Sequence, residues 1–312
     1  MPEWLYEAGI GEARAALVDD GTIVEAIVER DGLRLGTVAP ARLVDLIPGN
    51  MGRIALAGGE ALLTRIPPGV TQGATLTVEI VREVIPEAGR PKLARARATE
   101  AAPAPGPDLL ARITATGVPV RHCLAHQPDA LEAAGWSETL EEAITGEIVF
   151  PLGALRLSPT PAMTLFDVDG PAPIEPLALA AARSVALAIR RHGIGGSIGI
   201  DFPTLAGKAP RQAVAETIDA HLPPPFERTA VNGFGFLQIV RPRPRASLPE
   251  LLRADPAGTA ARAALRRIER EPPGAPLGHR LPAPVIAWLT ARPALLAELA
   301  RRTGVVHRLE IA

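Results

Sequence analysis

The stretch from Gly153 to Phe202 restricts the fold more than any other part of the chain. Ala154-Leu155-Arg156-Leu157 reads as a strand, and Thr164-Leu165-Phe166-Asp167-Val168-Asp169 as a second, closed by Gly170-Pro171. From Leu177 to Arg191 apolar residues fall at Leu177, Ala181, Val185 and Ala188/Ile189, the spacing of one helix face. Arg190 and Arg191 suit the last turn, and Gly193 can end it. Ser197-Ile198-Gly199-Ile200-Asp201-Phe202 then reads as a short buried strand. Strand, helix, strand in this order is a βαβ-like unit.

The rest of the chain supports a mixed α/β architecture with several subdomains, of α+β type. Arg14–Val18 and Thr22–Glu29 flank Asp19-Asp20-Gly21, a hairpin signal. Between Leu33 and Thr99, turn residues recur at Pro48-Gly49-Asn50, Gly58-Gly59, Pro67-Pro68-Gly69 and Gly89-Arg90-Pro91. About five short strands at this spacing suggest a small barrel. Residues 101–107 (AAPAPGP) read as a linker, and Ser137 as the N-cap of a helix to Thr145. A helix is expected over 211–221, a strand over 233–240, helices over 260–270, 283–289 and 294–302, and a strand over 305–311.

Composition narrows the function. The 312 residues are enough for roughly two domains. No apolar run reaches the roughly 18 residues of a spanning helix, and no signal-peptide pattern opens the sequence, so a soluble cytoplasmic protein is expected. The formal net charge of −1 argues against non-specific nucleic-acid binding. Of 33 basic residues only Lys92 and Lys208 are lysine, which points to codon bias, so charge distribution must carry any such argument. Residues 82–97 hold Arg82, Arg90, Lys92, Arg95 and Arg97 against Glu83 and Glu87, and 241–245 hold Arg241, Arg243 and Arg245 with no acid. These are candidate phosphate contacts, though ordinary solvated arginines would look the same. Cys123 is the one cysteine, which excludes an intramolecular disulfide or a multi-cysteine zinc site and suits a small buried side chain. Trp4, Trp136 and Trp288 read as packing residues.

Three carboxylates stand out. Asp167 and Asp169 are two apart in a strand and so share a face about 7 Å apart. Asp201 ends a separate apolar strand. Carboxylates converging at strand ends suit Mg²⁺, which takes few protein oxygens and keeps several waters. Such a metal can activate water for attack on a phosphodiester. Acids at strand ends also serve as solvated turn residues, and spacing alone leaves both roles open.

The neighbours of these acids carry a resemblance. GALRLSPTPAMTLFDVDG (153–170) and GGSIGIDF (195–202) are similar to the metal-binding strands of the ribonuclease E/G family. Asp167 and Asp201 fall on the family's metal-binding Asp residues, and Asp169 on its Asn. RQAV (211–214) and GFGFLQIVRPR (233–243) match the next two blocks, with Gln238 in place of a Glu. LGTVAPARLVDLIPGNMGRIALAGG (35–59) and GATLTVEIVREVIPEAGRPKLARAR (73–97) look like the family's RNA-binding OB barrel, and the tail looks like its small domain.

The resemblance implies N-terminal strands of an RNase H-like part (1–32), an OB-type β-barrel (33–99), a linker with the rest of that part (100–150), a DNase I-like catalytic subdomain (151–246), a linker (247–258) and a C-terminal α/β small domain (259–312). It implies a Mg²⁺-dependent endoribonuclease acting on single-stranded RNA in RNA processing or decay. Asp167 and Asp201 would hold the metal, Asp169 would support them, and Arg90, Lys92, Arg211, Arg241 and Arg243 would contact RNA. The family's 5′-end sensor has no room between Arg97 and Gly153, and SLPELLRADPAG (247–258) lacks the cysteines of its zinc link. No zinc is therefore expected, and a homo-oligomer through the small domain would lack the zinc bridge. The barrel's RNA-stacking aromatic is read as Ile54. These losses leave a second expectation, a catalytically weak RNA-binding or ribosome-associated paralogue.

Overall fold

A computed structural model of the chain describes residues 1–87, 91–171, 173–272 and 274–312. Its first strands, β1 (Glu3–Ala8), β2 (Ala13–Asp19) and β3 (Thr22–Glu29), form an antiparallel meander. Asp20 and Gly21 take φ of 47° and 76°, the left-handed pair that a tight hairpin turn requires and an Asp-Gly step supplies.

β4 (Val38–Ile47), β5 (Met51–Leu56), β6 (Gly59–Leu63), β7 (Thr75–Arg82) and β8 (Ala94–Ala98) close into a barrel in the order β4-β5-β6-β8-β7. All its pairings are antiparallel except β6 with β8. Alternate residues Leu43, Ile54, Leu63, Val78 and Ile80 fill the interior, so the strands leave no apolar face in water. The arrangement is compatible with an OB-type barrel. Ile54 is 0% exposed inside the barrel, so position 54 offers no stacking platform to RNA. Its neighbour Arg53 bonds Asp45 and Glu60.

Residues 101–107 do not dangle. Ala104 and Val38 exchange backbone hydrogen bonds of 2.9 Å, and the Gly106 N–H donates to Thr37 Oγ1. The chain then forms α1 (Leu109–Thr114), β9 (Val120–His122), α2 (Ala130–Ala133) and α3 (Trp136–Thr145). β9 pairs in parallel with β1, giving a first sheet of order β3-β2-β1-β9. Gly135, not Ser137, caps α3, and the Ser137 hydroxyl instead donates to Glu132.

The second sheet runs β10 (Glu147–Phe150), β11 (Gly153–Pro159), β12 (Thr164–Asp169), α4 (Ile174–Arg191), β13 (Gly196–Asp201), α5 (Lys208–His221), β14 (Glu227–Arg228) and β15 (Phe236–Arg241). Its strand order is β10-β11-β12-β13-β15-β14. The sheet thus begins at Glu147, so the boundary expected at 150/151 would cut off β10. β12 and β13 pair in parallel across α4, the βαβ unit legible in the sequence. Ala178, Ala181, Ala182, Val185 and Ile189 of α4 press onto one face, with Phe166, Ile198, Ile200, Leu237 and Ile239 beneath them. The small alanines let the helix come close.

The last elements are α6 (Leu248–Ala254), α7 (Pro256–Glu269), β16 (Gly278–Leu281), α8 (Ala283–Thr290), α9 (Pro293–Thr303) and β17 (Arg308–Ile311). Residues 247–258, expected as a linker, are helical. Ser247 and Glu250 form a reciprocal capping box, and Leu248 and Leu252 are buried with Leu5, Ile23 and Trp136 on the first sheet. The Ser-x-x-Glu pattern was the available signal. Trp4 and Trp136 are buried, and Trp288 donates to Asp255 with Arg262 and Arg292 over its ring. No single helix among the described residues is long and apolar enough to cross a membrane.

Buried charge fastens the C-terminal helices to the first sheet. Arg14, 1% exposed, reaches Glu7 at 3.0 Å and Asp129 at 2.7 Å. Arg270 from the end of α7 bonds Glu7 and lies 3.3 Å from Asp129. Beside them Glu12 receives Arg30 and Arg266, each at 3.3 Å.

His192 at the end of α4 supplies a pH-dependent term. Its Nε2 lies 3.2 Å from Glu142, and burial pulls its pKa below the ordinary histidine value, the Glu142 hydrogen bond only partly opposing this. The unfolded chain therefore binds the proton more readily. The stability from His192 is complete above its unfolded pKa of roughly 6.5 and is lost as pH falls through that value toward the folded one. The urea midpoint is expected to fall with pH over this window, and His192→Gln to flatten the fall.

Candidate functional site

The second sheet has two unlike faces. Along β12, Thr164, Phe166 and Val168 turn toward α4, while Leu165, Asp167 and Asp169 turn to the open face. Along β13 the apolar run ends at exposed Asp201. The register then decides what lies beside what. Asp167 pairs with Asp201, Arg156 of β11 with Asp167, and Phe236 of β15 with Asp201. One cross-strand row therefore reads Arg156, Asp167, Asp201, Phe236. Neighbouring strands lie about 4.8 Å apart, so the Asp167 and Asp201 carboxylates stand side by side on one open face.

Two like charges in adjacent positions destabilise a sheet. A hard cation between them reverses the sign of that contribution. Two carboxylate oxygens with space for waters suit Mg²⁺, so the donor set fits the metal expected from the sequence. Asp169 is on the same face but opposite Ala154, past the end of the β12–β13 pairing. Among the described residues, no group of three or more His, Cys, Asp and Glu side chains gathers as a metal site. Asp167 and Asp201 are thus a pair, with Asp169 one step away.

No protein-family model matches this chain, and no curated protein matches it.

The basic residues expected to contact RNA are placed differently from the acids. Lys92 pairs with Glu87 at 2.5 Å. Arg211 donates to the Leu205 carbonyl at 3.2 Å. Arg241 alternates onto the helix-covered side of β15 and reaches the Ile194 and Pro223 carbonyls, each at 3.4 Å. Burial lowers its pKa. Arg243 bonds Glu250 of the α6 cap. Arg90 lies outside the described residues. The one arginine set in the row of acids is Arg156, which sequence reasoning missed because cross-strand register is invisible along a single strand.

A cavity of about 760 Å³ lies elsewhere, between β3, the barrel and residues 242–246. Arg34, Arg112 and Arg245 line it with Glu29 and Glu83, and none of the three acids does.

The loop before β15 is held tightly against Asp201. The Phe202 N–H donates to the Gly235 carbonyl at 3.2 Å, and Gly235 sits at φ 93°. A Cβ there would run into the Phe202 carbonyl. Gly235→Ala is expected to lower stability by about 1–3 kcal/mol, the range for a strained backbone position, read as a shift in the urea unfolding midpoint.

Proposed function

We propose that the chain is a Mg²⁺-dependent endoribonuclease, similar to the ribonuclease E/G family, that cleaves single-stranded RNA in RNA processing or decay in the cytoplasm. The observation that carries this reading is the in-register pairing of Asp167 with Asp201 on an open sheet face. The strand order β3-β2-β1-β9 supports an RNase H-like part, and the helix-backed six-stranded sheet supports a DNase I-like one.

Mg²⁺ held by Asp167 and Asp201 would supply activation of water and neutralisation of charge at the phosphodiester. The two carboxylates would hold such a cation in place because their strands are backed by α4. Asp169 adds negative charge on the same face and so favours a cation there. Arg156, flanking Asp167, offers a guanidinium to a phosphate oxygen without approaching from the helix side.

The test is cleavage of end-labelled single-stranded RNA. Products are expected with Mg²⁺ and none with excess chelator. Intact RNA under both conditions, or equal cleavage under both, overturns the assignment. A second reading, an RNA-binding or ribosome-associated paralogue of little activity, is favoured by one observation: among the described residues no third metal-ligating side chain joins Asp167 and Asp201, Asp169 lying past the end of the β12–β13 pairing. It expects RNA retention without Mg²⁺-dependent products.

A further inference from the structure

The chain has only six phenylalanines; Phe236 stands next to the acid pair, and Phe234 lies two residues before it in the turn leading into β15. Phe234 is 84% exposed. Its loop is not loose. The Asn232 side-chain carbonyl accepts the N–H groups of Phe234 at 2.9 Å and Phe236 at 3.0 Å. The Asn232 N–H donates to the Phe236 carbonyl, and the Gly235 N–H to the Asn232 carbonyl. A loop this well bonded that still shows a whole aromatic ring to water gains nothing in stability from the ring, since burial is what makes apolar area favourable.

Phe236 stands opposite Asp201 on the open face. Its ring tip occupies the hollow above Gly199, where an added Cβ would lie 2.6 Å from Cζ. Leu165 and Met163 close on the same hollow, at 2.8 and 3.0 Å. The ring therefore has a packed floor and is partly exposed. Phe236, Arg156 and the two carboxylates thus share one cross-strand row, and Phe234 stands two residues before Phe236 in the turn that leads into β15.

The surroundings select the occupant. An apolar protein surface laid here would have to strip water from Asp167 and Asp201 with nothing to offset the loss. A single-stranded nucleic acid brings an apolar base face and a phosphate, and with Mg²⁺ the phosphate suits the acids. In a duplex the bases are stacked within the helix and out of reach. We propose that Phe234 and Phe236 form a stacking platform for an unpaired nucleobase adjacent to the phosphodiester at Asp167 and Asp201. This inference rests on the reading of the site as RNA-cleaving and names how the substrate is held. Stacking on a ring face accepts every base, so sequence preference at this position is weak.

The experiment is fluorescence anisotropy with a short fluorescein-labelled single-stranded RNA, in Ca²⁺ in place of Mg²⁺, with duplex RNA of the same sequence as comparison. Phe234→Leu and Phe236→Leu keep apolar bulk and remove the aromatic face, and Phe234→Tyr and Phe236→Tyr keep it. Each Leu variant is expected to weaken single-strand binding by about five- to a hundredfold, the worth of one base–aromatic stack. The Tyr variants are expected to bind like the wild type, and duplex binding to be weak and unchanged throughout. Leu variants that bind like a wild type which cleaves RNA in Mg²⁺ overturn the platform and leave the assigned activity standing. A wild type that neither binds nor cleaves overturns both. Leu variants with intact RNA affinity but lost self-association on gel filtration assign the rings to a protein contact and overturn the platform.

Discussion

Asp167→Asn and Asp201→Asn are each expected to reduce Mg²⁺-dependent RNA cleavage by at least about a hundredfold. Loss of a group that merely orients a metal ligand costs ten- to a hundredfold, so removing a ligand itself starts from the upper end. Both substitutions are expected to leave the fold intact. Asp201→Asn is expected to raise stability in metal-free buffer by about 0.2–1 kcal/mol, because it removes one of two like charges held side by side, whereas Asp167→Asn also gives up its pairing with Arg156 and changes stability little. Cleavage falls while stability holds or rises, which separates lost chemistry from lost folding. Cleavage rates give the first and thermal melts in chelator the second. Retained cleavage in both variants would remove the acid pair from the mechanism. Asp169→Asn is expected to be milder, because Asp169 lies beyond the β12–β13 pairing.

Arg14→Met is expected to destabilise the protein by about 3–5 kcal/mol, the range for removing one partner from a buried ion pair. Arg14 is held between Glu7 and Asp129, and its guanidinium carbon lies 5.3 Å from the centre of the Trp136 ring. Without it Glu7 keeps Arg270, but two carboxylates then share that single cation. Met fills most of the stem's volume, so the loss reports charge more than packing. The combined variant Arg14→Met, Asp129→Asn, which leaves Glu7 paired with Arg270, is expected to recover part of the stability. Chemical denaturation of the single and combined variants gives the difference. If the single variant loses less than about 1 kcal/mol, the network contributes no more than exposed pairs do.

The sequence showed much of the fold through patterns local to the chain. The Asp-Asp-Gly turn, the helical spacing from Leu177 to Ile189 and the strand ending at Asp201 all depend on near neighbours, and each element is present. β1, α6 and β16 were not expected, although Ser247 and Glu250 carried a capping signal for α6. The candidate site divides along the same line. Asp167 and Asp169 share a face by strand geometry alone, but the pairing of Asp167 with Asp201, and of both with Arg156 and Phe236, is set by register across four strands. Register depends on contacts between residues up to 80 positions apart in the row from Arg156 to Phe236. The burial of Ile54 was not legible for a related reason, since barrel closure decides which side of β5 faces inward.

The two sheets also differ in when they can be finished as the chain leaves the ribosome. Residues 147–241 contain every strand of the second sheet together with α4 and α5, so it can be completed from one continuous stretch. The first sheet opens with β1, yet β9 must wait for residue 120, the cover from α6 for residue 248, and the Arg270 partner of Glu7 for later still. Until then its inner face and its carboxylates are exposed to solvent. The β1–β3 meander is thus made well before the elements that seal it, and nascent chains are most open to holding chaperones there.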